Sequence, residues 1–310
     1  MTRIANDAED RSSSRDGMLS ALIAYLLWGV FPVYFKLVQA VPPTEVLTHR
    51  IIWAVPFGAL ILYVRRQWPE FRQAFASPST VFWLALAALF ISANWLIYIW
   101  AVQQEEVLQA SLGYYINPLM YVLVGVVFLK ERLRRPQVIS IVLAAVGVSY
   151  LTLEGGQFPF VAVSLALLFT LYGVIRKQVA VGAMPGLFIE TLLLFPFAVA
   201  WLGWLLLSQQ AEFAAGGVSL SLLLVLAGPL TVVPLLMFAI AARRLTLTVI
   251  GFMQFIAPTL QFIVGIFYGE VLTPAHIVCF GCIWAAVAIF SIDAFYQQKR
   301  KPPRIPSAGA

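Results

Sequence analysis

The sequence predicts an all-α integral membrane protein of about ten transmembrane helices, built as two inverted five-helix repeats. Three observations predict it. Long apolar runs fill the chain, basic and acidic loops alternate between them, and the two halves match at an offset near 140 residues.

The chain of 310 residues is 61% apolar and only 11% charged. A water-soluble domain carries about 25% charged residues, so lipid must solvate most of this chain. Ten runs have the roughly 17–25 residues that an apolar spanning helix needs: 18–38, 46–64, 80–101, 107–129, 136–153, 157–177, 186–207, 219–242, 246–268 and 274–296. Spanning backbone must bond internally. Runs this long do so as helices, because barrel strands alternate over about ten residues. The first run is longer than a signal-peptide core and follows a polar leader, so it reads as a retained helix. The leader (1–17) and the basic tail (297–310) read as disordered and cytoplasmic from composition.

Of 20 Lys and Arg, 18 fall in the leader, the tail and every second loop: Arg65, Arg66, Arg72, Lys130, Arg132, Arg134, Arg135, Arg176, Lys177, Arg243 and Arg244 mark those loops. The opposite loops carry Glu105, Glu106, Glu154, Glu212 and Glu270. This is the positive-inside pattern, and it places both termini in the cytoplasm. The net charge of +6 is therefore a topology signal, and no nucleic-acid partner is needed. Cys279 and Cys282 lie inside the last apolar run without a second ligand pair, so no metal and no cofactor is expected.

The internal repeat divides the chain into 18–153 and 157–296. Arg50 and Pro56 fall on Glu190 and Pro196, Asn94 on Pro234, Asn117-Pro118 on Ala257-Pro258, and Trp28-Gly29 on Tyr172-Gly173. An odd number of helices per repeat inserts the second copy from the opposite side. Inverted repeats are the architecture of many secondary transporters, with the site near midplane between the copies.

The stretches AYLLWGVFPVYFKL, EVLTHRIIW, ANWLIYIWAV and QASLGYYINPL resemble RarD-type permeases, the chloramphenicol-sensitive protein family within the EamA branch of the drug/metabolite transporter superfamily. The resemblance covers roughly residues 18–296. It implies a ten-helix exporter or permease of the bacterial inner membrane and leaves the cargo open.

An ionisable residue inside the bilayer is costly, about 2.5–3.5 kcal/mol at its centre on insertion scales. Arg50 and Glu190 are therefore the first pathway residues. By helical rise, Arg50 lies about 9 Å below one face and Glu190 about 7–8 Å above the other. Each is expected to guard one mouth, without a standing salt bridge between them; the structural alternative is a snorkelling arginine and an interfacial or protonated glutamate. Glu190 is the leading proton site; His49 would be a convenient second one, though an interfacial histidine is the favoured reading there.

Tyr114, Asn117 and Tyr121 share one face of the fourth helix, and Gln254 and Gln261 share a face of the ninth. The two polar stripes are expected to face each other across a central cavity, or else to glue helices together. Pro118 and Pro258 interrupt these helices and are the expected hinges. Asn94, Trp95 and Tyr98 on the third helix, with Trp28 and Tyr172 on the first and sixth, would supply an amide and rings for an amphipathic ligand. Bundle packing is the alternative for all of these.

The partners expected are a small-molecule substrate, the bilayer and protons, with the oligomeric state left open. No Walker-type nucleotide loop is present. The expectation is a secondary-active transporter working by alternating access, not an enzyme. An uncoupled facilitator or a non-transporting membrane sensor or enzyme are the alternatives.

Overall fold

The computed structural model describes residues 2–129, 133–156, 158–213, 215–245, 249–250 and 253–300. They form α1 (Thr2–Gly29), α2 (Phe31–Leu37), α3 (Pro43–Val64), α4 (Trp68–Phe75), α5 (Pro78–Gln103), α6 (Val107–Leu129), α7 (Arg135–Gly155), α8 (Phe160–Gln178), α9 (Ala183–Leu207), α10 (Gly217–Arg244), α11 (Ile256–Phe267) and α12 (Pro274–Arg300). No strand occurs among the described residues. Among the described residues eight segments are long and apolar enough to span a membrane, α11 is a shorter apolar helix, and α6 is an uninterrupted helix of 23 residues.

Prolines set several helix starts. Pro43, Pro78 and Pro136 stand in the first turn, where no backbone N–H is required. The same residue type breaks the first span. Pro32 has no N–H to give Trp28, four residues back, and the chain divides at Val30 into α1 and α2. Pro258 likewise cannot serve the carbonyl of Gln254, and a turn at 254–255 precedes α11. Pro56, Pro118, Pro196, Pro229 and Pro234 lie inside unbroken helices.

The structure departs from the sequence expectations at several points. The leader is helical from Thr2 and continuous with the first span, because helix propagates outward from the apolar segment. The short helix α4, between the second and third spans, was not expected. The ninth span is interrupted instead of running from 246 to 268. Glu131, Lys130, Arg132, the stretch 246–248 and the tail beyond residue 300 lie outside the described residues.

Helices pack in mates related by the repeat. α1 lies on α10, and its counterpart α8 lies on α5. α6 lies on α8 and α11 on α1; α3 lies on α10 and α9 on α5. α3–α9, α6–α11 and α7–α12 pair across the repeat axis. At Gly228 of α10 any Cβ would strike the backbone of Trp53, so the missing side chain permits the close approach of α3.

We name the two ends of the bundle by their loops. At the acidic-loop end, one cluster of sixteen buried residues ties α2, α3, α5, α6, α8 and α10 together with the 38–42 connection, centred on Phe35, Tyr98, Ile99, Leu165 and Leu224. A second cluster of fourteen buried residues joins α6, α7, α8 and α12, and toward the basic-loop end lie smaller groups, such as Ala21, Tyr25, Ala241, Ile250 and Ala257, or Ala74, Leu84 and Ile189.

Candidate functional site

Arg50 projects from α3 into the bundle and is 6% exposed. Its Nε donates to Thr231 Oγ1 of α10 at 2.7 Å. The guanidinium carbon lies 4.1 Å from the centre of the Trp95 ring and 5.7 Å from that of Phe31. Tyr34, Tyr98 and Tyr114 are its other polar neighbours. Ring faces attract a cation by about 0.5–2 kcal/mol, and one neutral acceptor adds a charge-assisted bond. No carboxylate pairs with Arg50 among the described residues.

The surrounding side chains are themselves fixed. Asn94 is buried, donates from Nδ2 to the Leu165 carbonyl at 3.0 Å, and accepts from the Tyr114 hydroxyl at 3.4 Å. Tyr98 packs against Phe35 and Tyr114 at centroid distances of 5.8 and 5.7 Å. Its hydroxyl is buried and has no partner among the described residues.

Glu190 of α9, 1% exposed, is held differently. Arg176 of α8 places Nε 3.3 Å from Glu190 Oε1, and the Tyr172 hydroxyl donates to Oε2 at 3.3 Å. Arg176 also donates to the Gly182 carbonyl at 3.2 Å. Its guanidinium occupies the space that a side chain at Gly186 would fill. Arg176 therefore does more than mark a basic loop. It reaches back along the helix surface to a buried carboxylate, where the attraction is least screened by water.

The two polar stripes do not face each other. α6 and α11 do pack together, but through Ser111, which donates to the Pro258 carbonyl at 2.7 Å, and through the Tyr115–Thr259 hydroxyl pair at 2.6 Å. Tyr114 turns to α5. Tyr121 donates weakly to the Phe169 carbonyl of α8 at 3.5 Å. Gln261 turns to α1 and donates to the Trp28 carbonyl at 3.1 Å. That carbonyl is the one Pro32 leaves free, so the amide repairs the break in the first span. Gln254 lies at the α11 turn, and Trp28 packs its ring on Tyr25 and Phe238. Buried oxygens of Asn117 and Gln261 remain without partners among the described residues.

His49 is fully buried, accepts from Trp53 Nε1 at 3.2 Å and lies against the Phe213 ring at 4.6 Å. Its neighbour Glu45 accepts the backbone N–H groups of Glu212 and Phe213 at 3.1 and 2.9 Å. Glu270 accepts those of Val107 and Leu108 at 2.6 and 2.8 Å. There the carboxylate meets the free donors and positive dipole end of α6. Burial pushes the Glu270 carboxyl above its ordinary range, opposed by these N–H groups and by Lys36. Lys36 pairs with Glu105 at 3.5 Å, and Asp293 pairs with Arg134 at 2.7 Å.

Sequence reading missed Arg176, Thr231, Glu45, Phe31 and Tyr34. Arg176 carried the signal of a loop cation. Thr231, a single hydroxyl in an apolar run, carried almost none. Phe31 and Tyr34 follow Trp28 at helical spacing, which does not separate a cage from a core.

A model described as the EamA-like transporter family matches residues 15–153, the first repeat. Protein RarD of Salmonella typhimurium is 45% identical over 293 residues, covering 94% of this chain and all of the relative. An uncharacterized transporter, YojE of Bacillus subtilis, is 41% identical, with 91% of this chain and 95% of the relative covered. The chloramphenicol-sensitive protein RarD of Pseudomonas aeruginosa is 33% identical over the same shares. A protein known from a crystal structure shares the fold at a TM-score of 0.58 and 20% identity, over 90% of this chain and 98% of its own. With relatives this similar along almost its whole length, the chain belongs to the RarD-type permeases of the EamA-like transporter family.

Proposed function

We propose that this membrane transporter is a secondary carrier that moves a small amphipathic molecule across the bacterial inner membrane by alternating access between its two repeats. The observation that carries this reading is the pair of buried, opposite charges at repeat-matched positions, Arg50 and Glu190, each set among aromatic side chains inside the bundle. Ionisable groups at such depth mark substrate and ion pathways. The continuous apolar cluster at the acidic-loop end favours a conformation closed on that side. With the basic loops in the cytoplasm, that side is the periplasm.

Proton coupling runs through Glu190 in this reading. Arg176 and the Tyr172 hydroxyl hold its two carboxylate oxygens. Movement of Arg176 during the switch would let the carboxyl gain or release a proton. The unbroken α6 and interrupted α11 supply unequal stiffness at Pro118 and Pro258.

The test is flux in proteoliposomes given a mixture of metabolites, with and without an imposed pH gradient, for the wild type and Glu190→Gln. Gradient-driven movement of one compound, lost in the variant, is the expected result. Movement unchanged by the gradient and by the substitution would make the protein a facilitator. Turnover of a compound without movement would sink the carrier reading.

A further inference from the structure

We propose that Arg50 is the binding residue for a carboxylate on the transported molecule, and that the rings around it take up that molecule's aromatic part. The inference rests on the transporter reading above and names the class of cargo, an aromatic carboxylate.

The buried positive charge lacks its complement. A guanidinium has several N–H donors; the structure accounts for Nε, which is bonded to Thr231. The guanidinium carbon lies over the Trp95 ring at 4.1 Å from its centre, and over that of Phe31 at 5.7 Å. A side chain bonded at Nε keeps its two terminal nitrogens as a fork. That edge matches the two oxygens of a carboxylate. A buried cation of this kind calls for a paired anion. No side chain supplies one among the described residues, unlike Glu190 with Arg176 and Lys36 with Glu105.

The walls favour an aromatic body over an aliphatic one. The Trp95 and Phe31 rings lie against the guanidinium, the Tyr98 and Tyr114 rings pack on each other at 5.7 Å, and flat rings pack edge-to-face or offset. The buried Tyr98 hydroxyl, without a partner, is a donor near the same charge. Thr231 and Asn94 hold the arginine and the Tyr114 hydroxyl from behind, so the edge is built before the ligand arrives.

The test uses matched acids and amides on the purified full-length protein: indole-3-acetate with indole-3-acetamide, 3-phenylpropionate with 3-phenylpropionamide, and benzoate with benzamide. Calorimetric titration is expected to show at least one acid binding on the order of 30-fold more tightly than its amide. Arg50→Gln should erase that preference. Arg50→Lys should keep part of it, having the charge without the fork. Tyr98→Phe should weaken the acid several-fold and leave the amide unchanged. Equal binding of acid and amide in every pair, no binding of any acid, or a preference that survives Arg50→Gln would overturn the proposal. If Arg50→Gln does not fold, the wild-type pairs and Tyr98→Phe decide it. Counterflow of the same compounds separates the two readings. Acid-selective binding without flux would refute transport of these acids and leave the Arg50 site standing. Flux of neutral compounds that Arg50→Gln leaves intact would do the reverse.

Discussion

Arg50 and Glu190 stand at matched positions in α3 and α9, yet they are neutralised by different means. Glu190 has its counter-charge within the protein: Arg176 at 3.3 Å, with the Tyr172 hydroxyl on its other oxygen. Arg50 has a neutral hydroxyl and ring faces. The repeated scaffold thus holds one internal ion pair and one cation without a carboxylate partner among the described residues. The two places differ in their neighbours, Tyr172 and Arg176 on one side and Thr231 and Trp95 on the other.

The strongest way to break this contrast is Arg176→Gln. It strands the Glu190 carboxylate in the bundle, and breaking a buried pair costs about 3–5 kcal/mol. The loss should appear as a lower unfolding midpoint in detergent. Glu190→Gln in the same chain should recover most of it, since both charges are then gone. Failure of the second substitution to rescue the first would mean that the pair is not the coupling.

Gly186→Ala should follow, at about 1–3 kcal/mol. The added methyl displaces the Arg176 guanidinium from its seat, so the effect should shrink when Arg176 is already Gln. A double-mutant cycle reads that coupling.

On the Arg50 side, Thr231→Val removes the acceptor from a buried cation, an effect of about 1–3 kcal/mol. Thr231→Ser should stay near wild type. If Val were as stable as Ser in the unfolding assay, the hydroxyl would not be what orients Arg50.

The smallest effect is expected at Gln261→Leu. It returns the Trp28 carbonyl to an unpaired state, and membrane hydrogen bonds of this kind average about 0.6 kcal/mol. Faster amide exchange around the α1–α2 break would accompany it. No change in exchange at residues 29–31 would show that the amide does not stabilise the break.

Hydropathy and charge made the spans and their alternation readable, because lipid acts on every residue of a helix in the same way. Helix ends were less readable. α3 begins at Pro43 and α10 ends at Arg244, beyond the apolar runs, since capping turns lie outside the apolar core. The burial of Arg50 and Glu190 was suggested by their positions inside apolar runs, more than a turn from either end. The facing of the polar stripes was not readable, because spacing fixes which residues share a helix face and says nothing of which neighbour that face meets.

The sequence by itself determined the all-helical spanning class, the alternation of loops and the offset that pairs Arg50 with Glu190. These depend on sums over local composition. Only the tertiary structure decided that Arg176 belongs to Glu190, that Gln261 serves the carbonyl freed by Pro32, and that Arg50 lies against the Trp95 and Phe31 rings with no carboxylate partner among the described residues. Such pairings depend on the rotation and separation of helices far apart in the chain, and those are set by packing at Gly228, Ser111 and Thr259 and not by any local pattern.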